Sequence, residues 1–397
     1  MNFKTTEFDK FTADEDRGAR IKIFGIGGGG SNAVNKMIEA KITGLDFYVA
    51  NTDVQALNDS KVKAENRIAL GKNLTKGLGA GANPDIGTKA AQESIDDLKK
   101  IIKDTDLVFI AAGMGGGTGT GAAPIIAKAA KDLGCLVVGI VTTPFDFEGK
   151  ARSLNAKIGL KALKENVDSI IVVSNNRLLA ELGDFSITDA FKFSDATLKN
   201  AVRTITDLIN KHSLINLDFA DVKAVLANQG LSLIGTGKAS GEDGAVEAAI
   251  NAIQSPILES SIEGAKNAIV NVLGSPTSLT LKQAQEAVQT IKEAANSNVD
   301  VIFGVTINED MGEEIVVSVI ATGLSQIKDF DFDNITVNSP IQKDDNFEDS
   351  DLETFKQAIT QEMNLRGKKS KSKKELDLQL TKEETDIFSG LSLLDDE

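Results

Sequence analysis

Residues 107–121 read LVFIAAGMGGGTGTG, an apolar run that ends directly in a glycine-rich loop. A second junction of this kind stands at residues 20–31, RIKIFGIGGGGS. Short apolar runs predict buried strands, and glycines that open a helix let the main chain approach a phosphate closely. Two such junctions predict a parallel sheet with phosphate-binding loops at the carboxyl ends of its strands.

Three further apolar runs extend the predicted sheet, and helical segments separate them. The five predicted strands are Arg20–Gly25, Leu45–Ala50, Leu107–Ala112, Cys135–Thr142 and Ser169–Ser174. The intervening helices are predicted over Ser31–Ala40 (with Ser31 or Asn32 as the N-cap), Gly121–Leu133 and Ala151–Asn166. Strands that alternate with helices form a parallel sheet covered on both faces. Residues 21–188 are therefore predicted to form a doubly wound α/β domain.

A different pattern predicts a second, smaller domain further along the chain. Apolar residues at helical spacing predict one long helix over residues 187–212, so that residues 189–213 form a core helix. Residues 214–325 have fewer helices, in longer gaps between strands, which is typical of an α+β domain. Its predicted strands are Lys223–Asn228, Asn267–Leu273, Val301–Ile307 and Ile315–Ala321. Its clearest predicted helix is Leu281–Ala295, with Thr280 and Gln283 as a capping box.

Composition excludes several classes of function. The 397 residues include 43 bases and 58 acids, and the net charge of −15 argues against a nucleic-acid or anionic-membrane partner. One Cys and one His exclude a cysteine zinc site and a multi-histidine metal centre. The longest apolar runs, such as Leu136–Val141, are too short to insert across a bilayer. Residues 1–20 are charged and predict a flexible arm rather than a signal peptide, so a cytoplasmic protein is expected.

The last part of the chain has segregated charge and few aromatic residues. Residues 366–374 carry six bases and no acid, whereas residues 375–397 carry eight acids and one base. This pattern is typical of disorder, and residues 326–397 are predicted to form a disordered charged tail.

The glycine loops leave two kinds of ligand open at this point. Gly25, Gly27 and Gly30 satisfy the dinucleotide pattern G-x-G-x-x-G, which supports a nicotinamide-dependent oxidoreductase. A dinucleotide fold needs only one such loop, however, and a third glycine-rich stretch stands at residues 71–84. Several converging loops favour a nucleoside di- or triphosphate. Since neither strand-end loop contains a Lys, backbone amides and a metal ion would hold the phosphates.

The motifs together resemble the tubulin/FtsZ family. The residues that carry the resemblance are GGGTGTG at Gly115–Gly121, with Gly28–Asn32, Asn51–Asp53, GLGAGANP at Gly77–Pro84, PFDFEG at Pro144–Gly149 and NLDFAD at Asn216–Asp221. The resemblance covers about Arg20 to Gly323. It implies a GTPase that binds GTP and GDP, with Mg²⁺ held mainly by phosphates and water. It further implies head-to-tail homopolymers that form a cytokinetic ring at the division site.

The resemblance also implies roles for individual residues. The implied phosphate-binding residues are Gly28, Gly29, Gly30, Ser31, Asn32, Gly115, Gly116, Gly117, Thr118, Gly119, Thr120 and Gly121. Glu148 and Arg152 match ribose and base-edge positions, although their spacing also suits an exposed helix pair. Asn175 and Asp195 match guanine contacts, and Phe191 matches a residue that packs on the base. Each has an ordinary alternative: Asn175 as a helix cap, Asp195 as a solvated acid and Phe191 as core.

Catalysis is implied at a loop that is distant in sequence from the glycine loops. In the family, carboxylates of the next subunit complete the active site, and here Asn216, Asp218 and Asp221 match that loop. The two aspartates, three residues apart, would polarise a water that Asn216 orients. The alternative from the residues alone is a capped turn before a strand.

The final segment departs from the family's usual adaptor-binding motif. Residues 386–397 read DIFSGLSLLDDE, without the usual proline and basic residue. A helical face of Ile387, Leu391 and Leu394 would suit a membrane adaptor or division regulator, and the alternative is an inert tail.

From the sequence, three functions remain for the whole chain: an assembly GTPase, an oxidoreductase and a nonhydrolysing tubulin-like scaffold.

Overall fold

The computed structural model describes residues 18–182, 186–209, 213–215, 218–255, 258, 261–295 and 298–324. Its strands are β1 (Ile21–Ile26), β2 (Asp46–Asn51), β3 (Arg67–Ala69), β4 (Leu107–Gly113), β5 (Leu136–Thr143), β6 (Ser169–Ser174), β7 (Ser213–Ile215), β8 (Gly230–Ser240), β9 (Asn267–Gly274), β10 (Asp300–Ile307) and β11 (Glu314–Thr322). Its helices are α1 (Gly27–Glu39), α2 (Val54–Asn58), α3 (Lys72–Thr75), α4 (Pro84–Glu93), α5 (Ile95–Ile102), α6 (Thr118–Asp132), α7 (Lys150–Lys164), α8 (Asn175–Leu182), α9 (Ile187–Ile209), α10 (Phe219–Leu226), α11 (Gly244–Ile253) and α12 (Leu281–Ala295).

The first six strands form a parallel sheet in the order β3-β2-β1-β4-β5-β6. The order reverses between β1 and β4, which lie side by side with Gly25 opposite Ala111. In open sheets of this kind, ligands bind outside the carboxyl ends of the strands at such a reversal. The predicted doubly wound sheet is confirmed, and both glycine loops start at this edge.

Helices bury both faces of the parallel sheet. One core contains α1, α9 and α10, with Val34, Met37 and Ile205 fully buried. The opposite core contains α4, α5, α6 and α7, with Ile126 and Leu160 fully buried. Strands buried on both faces have few polar positions, which is why their sequences are continuous apolar runs.

The second unit continues the same sheet with mixed strand directions. β8 pairs in parallel with β6, and the order then runs β8-β11-β9-β10-β7 with antiparallel pairs around β11 and at β7. α11 and α12 pack on one face of these strands, while α9 and α10 contribute to the core on the other. The predicted smaller α+β unit and long core helix are both confirmed.

One predicted strand is wrong. Residues 223–228 are not a strand, because α10 occupies Phe219–Leu226. The Asp218 side chain caps this helix by accepting a hydrogen bond from the Asp221 amide at 2.8 Å. Val222, Val225 and Leu226 are buried at helical spacing, and this packing stabilises a helix where a short apolar run predicted a strand.

The start of α1 also differs from the prediction. The helix begins at Gly27, four residues before Ser31, and its N-cap position is Ile26, which makes no side-chain cap. Neither Ser31 nor Asn32 is the cap. β8 and α11 are elements that the sequence analysis did not predict, whereas the capping box of α12 is confirmed by reciprocal Thr280 and Gln283 hydrogen bonds.

Predictions for residues 1–17 and 325–397 lie outside the described residues, as does the end of the long helix at 210–212. In the described part of the chain, no helix combines the length and apolar character needed to cross a membrane.

Candidate nucleotide site

A cavity of about 450 Å³ lies at the carboxyl ends of the parallel strands. It is lined by both glycine loops, by the ends of β4 and β5, and by residues of α7, α8 and α9. The lining residues are Gly27, Gly28, Gly29, Asn32, Gly113, Met114, Gly116, Gly117, Thr118, Gly119, Thr142, Thr143, Pro144, Glu148, Arg152, Asn175, Phe191, Ser194, Asp195 and Leu198.

The two glycine loops pack directly against each other. An added Cβ at Gly27 would lie 2.9 Å from the Gly119 amide nitrogen, and Gly27 has a positive φ of 70°. An added Cβ at Gly30 would overlap the Ala111 carbonyl oxygen of β4. Gly28 and Gly116, by contrast, have open space beside their Cα atoms. Some glycines therefore allow close packing, while others leave main chain exposed for a ligand.

The hydroxyls of the second loop have different surroundings. The Thr118 Oγ1 lies 2.7 Å from the Thr52 Oγ1, at the cavity wall. The Thr120 Oγ1 instead accepts a hydrogen bond from the Gly115 amide at 2.8 Å, and this buried side chain does not line the cavity. Thr118 therefore faces the space for a ligand, whereas Thr120 holds the loop in shape.

Glu148 and Arg152 form an ion pair at the start of α7 and line the cavity. Glu148 also accepts a hydrogen bond from the Phe145 amide at 2.9 Å, which fixes the carboxylate at the cavity rim. Asn155, about one turn beyond Arg152, donates to the carbonyl oxygens of Ala82 and Gly115. This amide ties α7 to the third glycine-rich stretch and to the second loop.

Asn175, Phe191 and Asp195 meet at one end of the cavity. The buried Asn175 accepts a hydrogen bond from Ser194 Oγ at 2.8 Å, which links the start of α8 to the third turn of α9. Phe191 is half exposed and packs edge-on against Phe145, with ring centroids 5.0 Å apart. A planar, partly uncovered aromatic ring beside polar groups suits a flat heteroaromatic base.

The carboxyl group of Asp195 lies partly removed from water. Burial raises its pKa to about 6, and the charge of Lys36 opposes that shift. A carboxylate held in a cavity away from water is a strong acceptor for N–H donors of a ligand.

The predicted binding residues divide into two groups in space. Those that line the cavity are Gly28, Gly29, Asn32, Gly116, Gly117, Thr118, Gly119, Glu148, Arg152, Asn175, Phe191 and Asp195. Those that lie behind its wall are Gly30, Ser31, Gly115, Thr120 and Gly121. The buried Ser31 Oγ has no hydrogen-bond partner. An added Cβ at Gly121 would overlap the Pro84 carbonyl oxygen, so this glycine serves helix packing.

Thr142 and Thr143 line the cavity but were not predicted as site residues. They end β5 beside the second loop, and the buried Thr143 Oγ1 has no hydrogen-bond partner. Their position at the carboxyl end of a central parallel strand is the signal that would have found them.

The aspartates of the predicted catalytic loop do not line this cavity. Asp218 and Asp221 are exposed at the start of α10, which follows α9 and β7 in the chain. Phe191 and Asp195 lie in the first half of α9, and the helix axis extends about 20 Å from Asp195 to Ile209. Asn216 lies outside the described residues.

The described residues contain no group of three or more His, Cys, Asp or Glu side chains suited to a metal ion. Around the glycine loops the protein offers amides and hydroxyls, such as that of Thr118. Such a donor set fits a magnesium ion that phosphate oxygens and water coordinate.

Sequence comparisons identify two family domains. Residues 20–183 match the GTPase domain of the tubulin/FtsZ family, and residues 230–325 match the C-terminal domain of the FtsZ family. The chain is 56% identical over 312 residues to the cell division protein FtsZ of Mycoplasmopsis pulmonis, with 79% of each chain covered.

Solved structures give the same result. The chain is similar to an FtsZ dimer of M. jannaschii, with a TM-score of 0.75, 40% identity, and coverage of 83% of this chain and 96% of the other. CetZ1 of Haloferax volcanii shares the fold, with a TM-score of 0.68, 22% identity, and coverage of 80% and 97%.

These matches span both units of the fold and the loops that form the cavity. By sequence and by structure, the chain belongs to the FtsZ family of tubulin-related GTPases.

Proposed function

We propose that the chain binds GTP in the loop cavity and hydrolyses it at a site completed by a second copy in a head-to-tail polymer. One observation carries this proposal. Neither carboxylate that lines the cavity is available to activate a water molecule. Glu148 pairs with Arg152, and Asp195 lies beside Phe191, where the base would bind. The exposed Asp218 and Asp221 follow the far end of α9.

Nucleotide binding uses the whole length of the cavity. The amides at the cavity wall, such as those of Gly28, Gly29, Gly116 and Gly117, hold the phosphates, and the positive ends of α1 and α6 favour the negative charge. Glu148 and Arg152 bind the ribose and the base edge, while Phe191 packs on the base. Mg²⁺ would be held mainly by the phosphates and water beside Thr118, and it would supply charge neutralisation at the transferred phosphate.

Guanine is selected over adenine by Asp195 and Asn175. The Asp195 carboxylate accepts from N1–H and N2–H of guanine, a pair of donors that adenine does not present. Asn175, fixed by Ser194, contacts the same base. Unpaired buried acceptors would penalise the wrong base.

Hydrolysis needs a positioned water and stabilised charge on the phosphoryl group. Asp221 and Asp218 of one subunit orient that water at the phosphates of the next, with Asn216 assisting. A lone subunit binds GTP but turns it over slowly.

The cellular role follows from the relatives. The M. pulmonis relative is a cell division protein, and we extend this role to the present chain: its polymers form a ring at the division site in the cytoplasm. Residues 386–397 contact a membrane adaptor or division regulator, so that the chain itself does not insert into the bilayer.

The test is the rate of GTP hydrolysis per subunit as a function of protein concentration. It should be low in dilute solution and rise above the concentration at which polymer sediments. A specific activity that stays flat across this range, with polymer present at the high end, contradicts a shared active site.

A further inference from the structure

Residues 144–149, here called the rim loop, join β5 to α7 and carry two residues on which the nucleotide cavity depends. Glu148 lines the cavity, and the fully buried Phe145 supports Phe191 through an edge-on ring contact at 5.0 Å. The rim loop ends at Gly149, whose positive φ of 99° turns the chain into α7. The position of this loop therefore decides where the proposed ribose and base contacts lie.

Two contacts hold the carboxylate of Glu148, but both lie within one stretch of chain. The carboxylate accepts a hydrogen bond from the Phe145 amide at 2.9 Å, and it pairs with Arg152 of α7. Because both partners stand within four residues of Glu148, these contacts move with the rim loop. They do not fix the loop relative to α8, where Asn175 lines the cavity.

A reciprocal pair of hydrogen bonds ties the rim loop to α8. Asn176 Oδ1 accepts from the Asp146 amide at 2.9 Å, and Asn176 Nδ2 donates to Asp146 Oδ1 at 2.7 Å. The two residues are 30 positions apart in sequence, and Asn176 directly follows Asn175. Hydrogen bonds are directional, and a bond to a carboxylate is stronger than one between neutral groups. The pair therefore fixes both the distance and the orientation of the loop.

From this geometry we infer that Asp146 and Asn176 are positioning residues for the nucleotide. They clamp the rim loop to the start of α8, so that Glu148 and Asn175 keep a fixed spacing at the cavity wall. Neither Asp146 nor Asn176 lines the cavity, so they act through these two neighbours rather than by touching the nucleotide. This role rests on the proposed binding of a nucleotide in the cavity, where small displacements of a positioned group weaken its contact sharply.

The pair can be reversed, which gives a sharp test by isothermal titration of dilute protein with GDP. Asn176→Asp places two carboxylates against each other and should weaken GDP binding by about tenfold, the value of one hydrogen bond to a charged group. Asp146→Asn keeps an acceptor oxygen and should bind within about threefold of the parent. The double variant exchanges the two groups, so each bond again has a donor and an acceptor. Its affinity should return to within about threefold of the parent.

Two further readouts separate positioning from a general loss of stability. The pair lies at the surface, and an acid in the first turn of α8 suits the helix dipole, so Asn176→Asp should keep the parent's Tm without nucleotide. Since Glu148 is the proposed ribose contact, Asn176→Asp should also reduce the preference for GDP over its dideoxy form, which lacks both ribose hydroxyls. Gln289→Ala removes an exposed 2.8 Å bond to Glu293 on α12 and is the matched control, which should change neither affinity nor preference.

Three results would overturn the inference. The first is an Asn176→Asp protein that binds GDP as the parent does. The second is a double variant that binds no better than Asn176→Asp alone. The third is an equal loss of affinity for GDP and for its dideoxy form. Failure of the proposed function would look different, because the parent itself would not bind GDP, and the clamp would then lose its role as well.

Discussion

Asp195 is the residue in which binding and stability have opposite requirements. Burial raises its pKa to about 6, so its carboxylate destabilises the folded state at neutral pH. The same desolvated carboxylate is what the proposed guanine contact needs, because water competes little with the base. The sequence left open whether Asp195 is a ligand contact or a solvated acid. Its burial could not be predicted, because it depends on how α9 packs beside the glycine loops.

The first prediction is a loss of GTP affinity in acid. Since the ionised carboxylate is the acceptor, affinity should be constant above pH 7 and fall by about tenfold per pH unit below 6. Isothermal titration across this range measures it. The terminal phosphate also titrates here, so Asp195→Asn serves as the reference: its affinity should change less with pH. Equal pH profiles for the two proteins would rule out this role of Asp195.

The second prediction separates binding from stability with the same variant. Asp195→Asn places an N–H₂ group against guanine donors and should weaken GTP binding by about a hundredfold or more. In the parent protein, the pKa of Asp195 is raised in the folded state. The ionised carboxylate therefore lowers the free energy of unfolding as the pH rises through that pKa. The neutral amide should therefore stabilise the nucleotide-free protein at pH 7 by about 1 kcal/mol after solvent screening. Thermal unfolding without nucleotide measures this, and a lowered Tm would contradict it.

The third prediction concerns Thr118, whose hydroxyl contacts Thr52 at the cavity wall. Thr118→Arg introduces a long side chain into the space for the phosphates and should abolish detectable GTP binding. Thr118→Ser keeps the hydroxyl and should bind nearly as the parent does. Circular dichroism checks that both variants fold, and unchanged GTP affinity in a folded Thr118→Arg protein would remove Thr118 from the site.

At the scale of elements, α10 and β8 show where the sequence analysis failed. The α10 segment was predicted as a strand because Lys223–Asn228 contains a short apolar run, but the cap by Asp218 and the burial of Val222 and Leu226 favour the helix. β8 was not predicted because its glycines interrupt the apolar run. The long apolar strands β1, β4, β5 and β6 were predicted within a residue or two, since burial on both faces leaves a strong pattern.

The fourth prediction tests why β8 contains glycine. α11 lies so close to β8 that a Cβ at Gly237 would overlap the Ala248 carbonyl oxygen and the Ala252 amide. Gly237→Ala should therefore lower the free energy of unfolding by about 1–3 kcal/mol. Gly244→Ala is the matched control in α11, where the nearest atom would be Ile315 Cδ1 at 3.6 Å. Urea denaturation compares them, and equal stabilities would contradict the packing argument.

The candidate site was predicted well where its residues follow strands and less well where loops fold back. Most of both glycine loops line the cavity, because the carboxyl ends of β1 and β4 are neighbours. Thr120 and Gly121 were expected to contact phosphate, yet one holds the Gly115 amide and the other packs against α4. Whether a loop residue contacts the ligand or packs against the protein depends on its contacts in three dimensions. The spacing of residues in the sequence does not predict those contacts.

At the scale of the whole molecule, α9 keeps the two halves of the proposed active site apart. Its N-terminal half lines the cavity, and the chain reaches Asp221 only after the helix has ended. Within one subunit the carboxylates that we propose as catalytic, Asp218 and Asp221, therefore do not line the pocket. In the proposed head-to-tail polymer, stacking subunits along the axis of α9 would bring one subunit's loop to the next subunit's phosphates, and hydrolysis would then depend on assembly.

The fifth prediction is that Asp221→Ala separates hydrolysis from folding and binding. The Asp221 amide, which Asp218 caps, remains in this variant, so α10 keeps its N-cap. Asp218→Ala, by contrast, removes the cap and should cost about 1 kcal/mol. Asp221→Ala should bind GTP as the parent does and lose most of its turnover, because the attacking water loses its orienting group. Phosphate release by sedimented polymer measures the effect.

The most direct test of the shared site mixes two inactive variants. Asp221→Ala subunits have an intact pocket, and Thr118→Arg subunits have an intact catalytic loop. In a copolymer, the junction between an Asp221→Ala pocket and a Thr118→Arg loop is complete, so GTPase activity should return and peak at intermediate mixing ratios. Sedimentation must show both variants in the same polymer. Copolymers that hydrolyse no more GTP than the two variants do separately, or Asp221→Ala polymers that turn over GTP at the parent rate, would contradict the account.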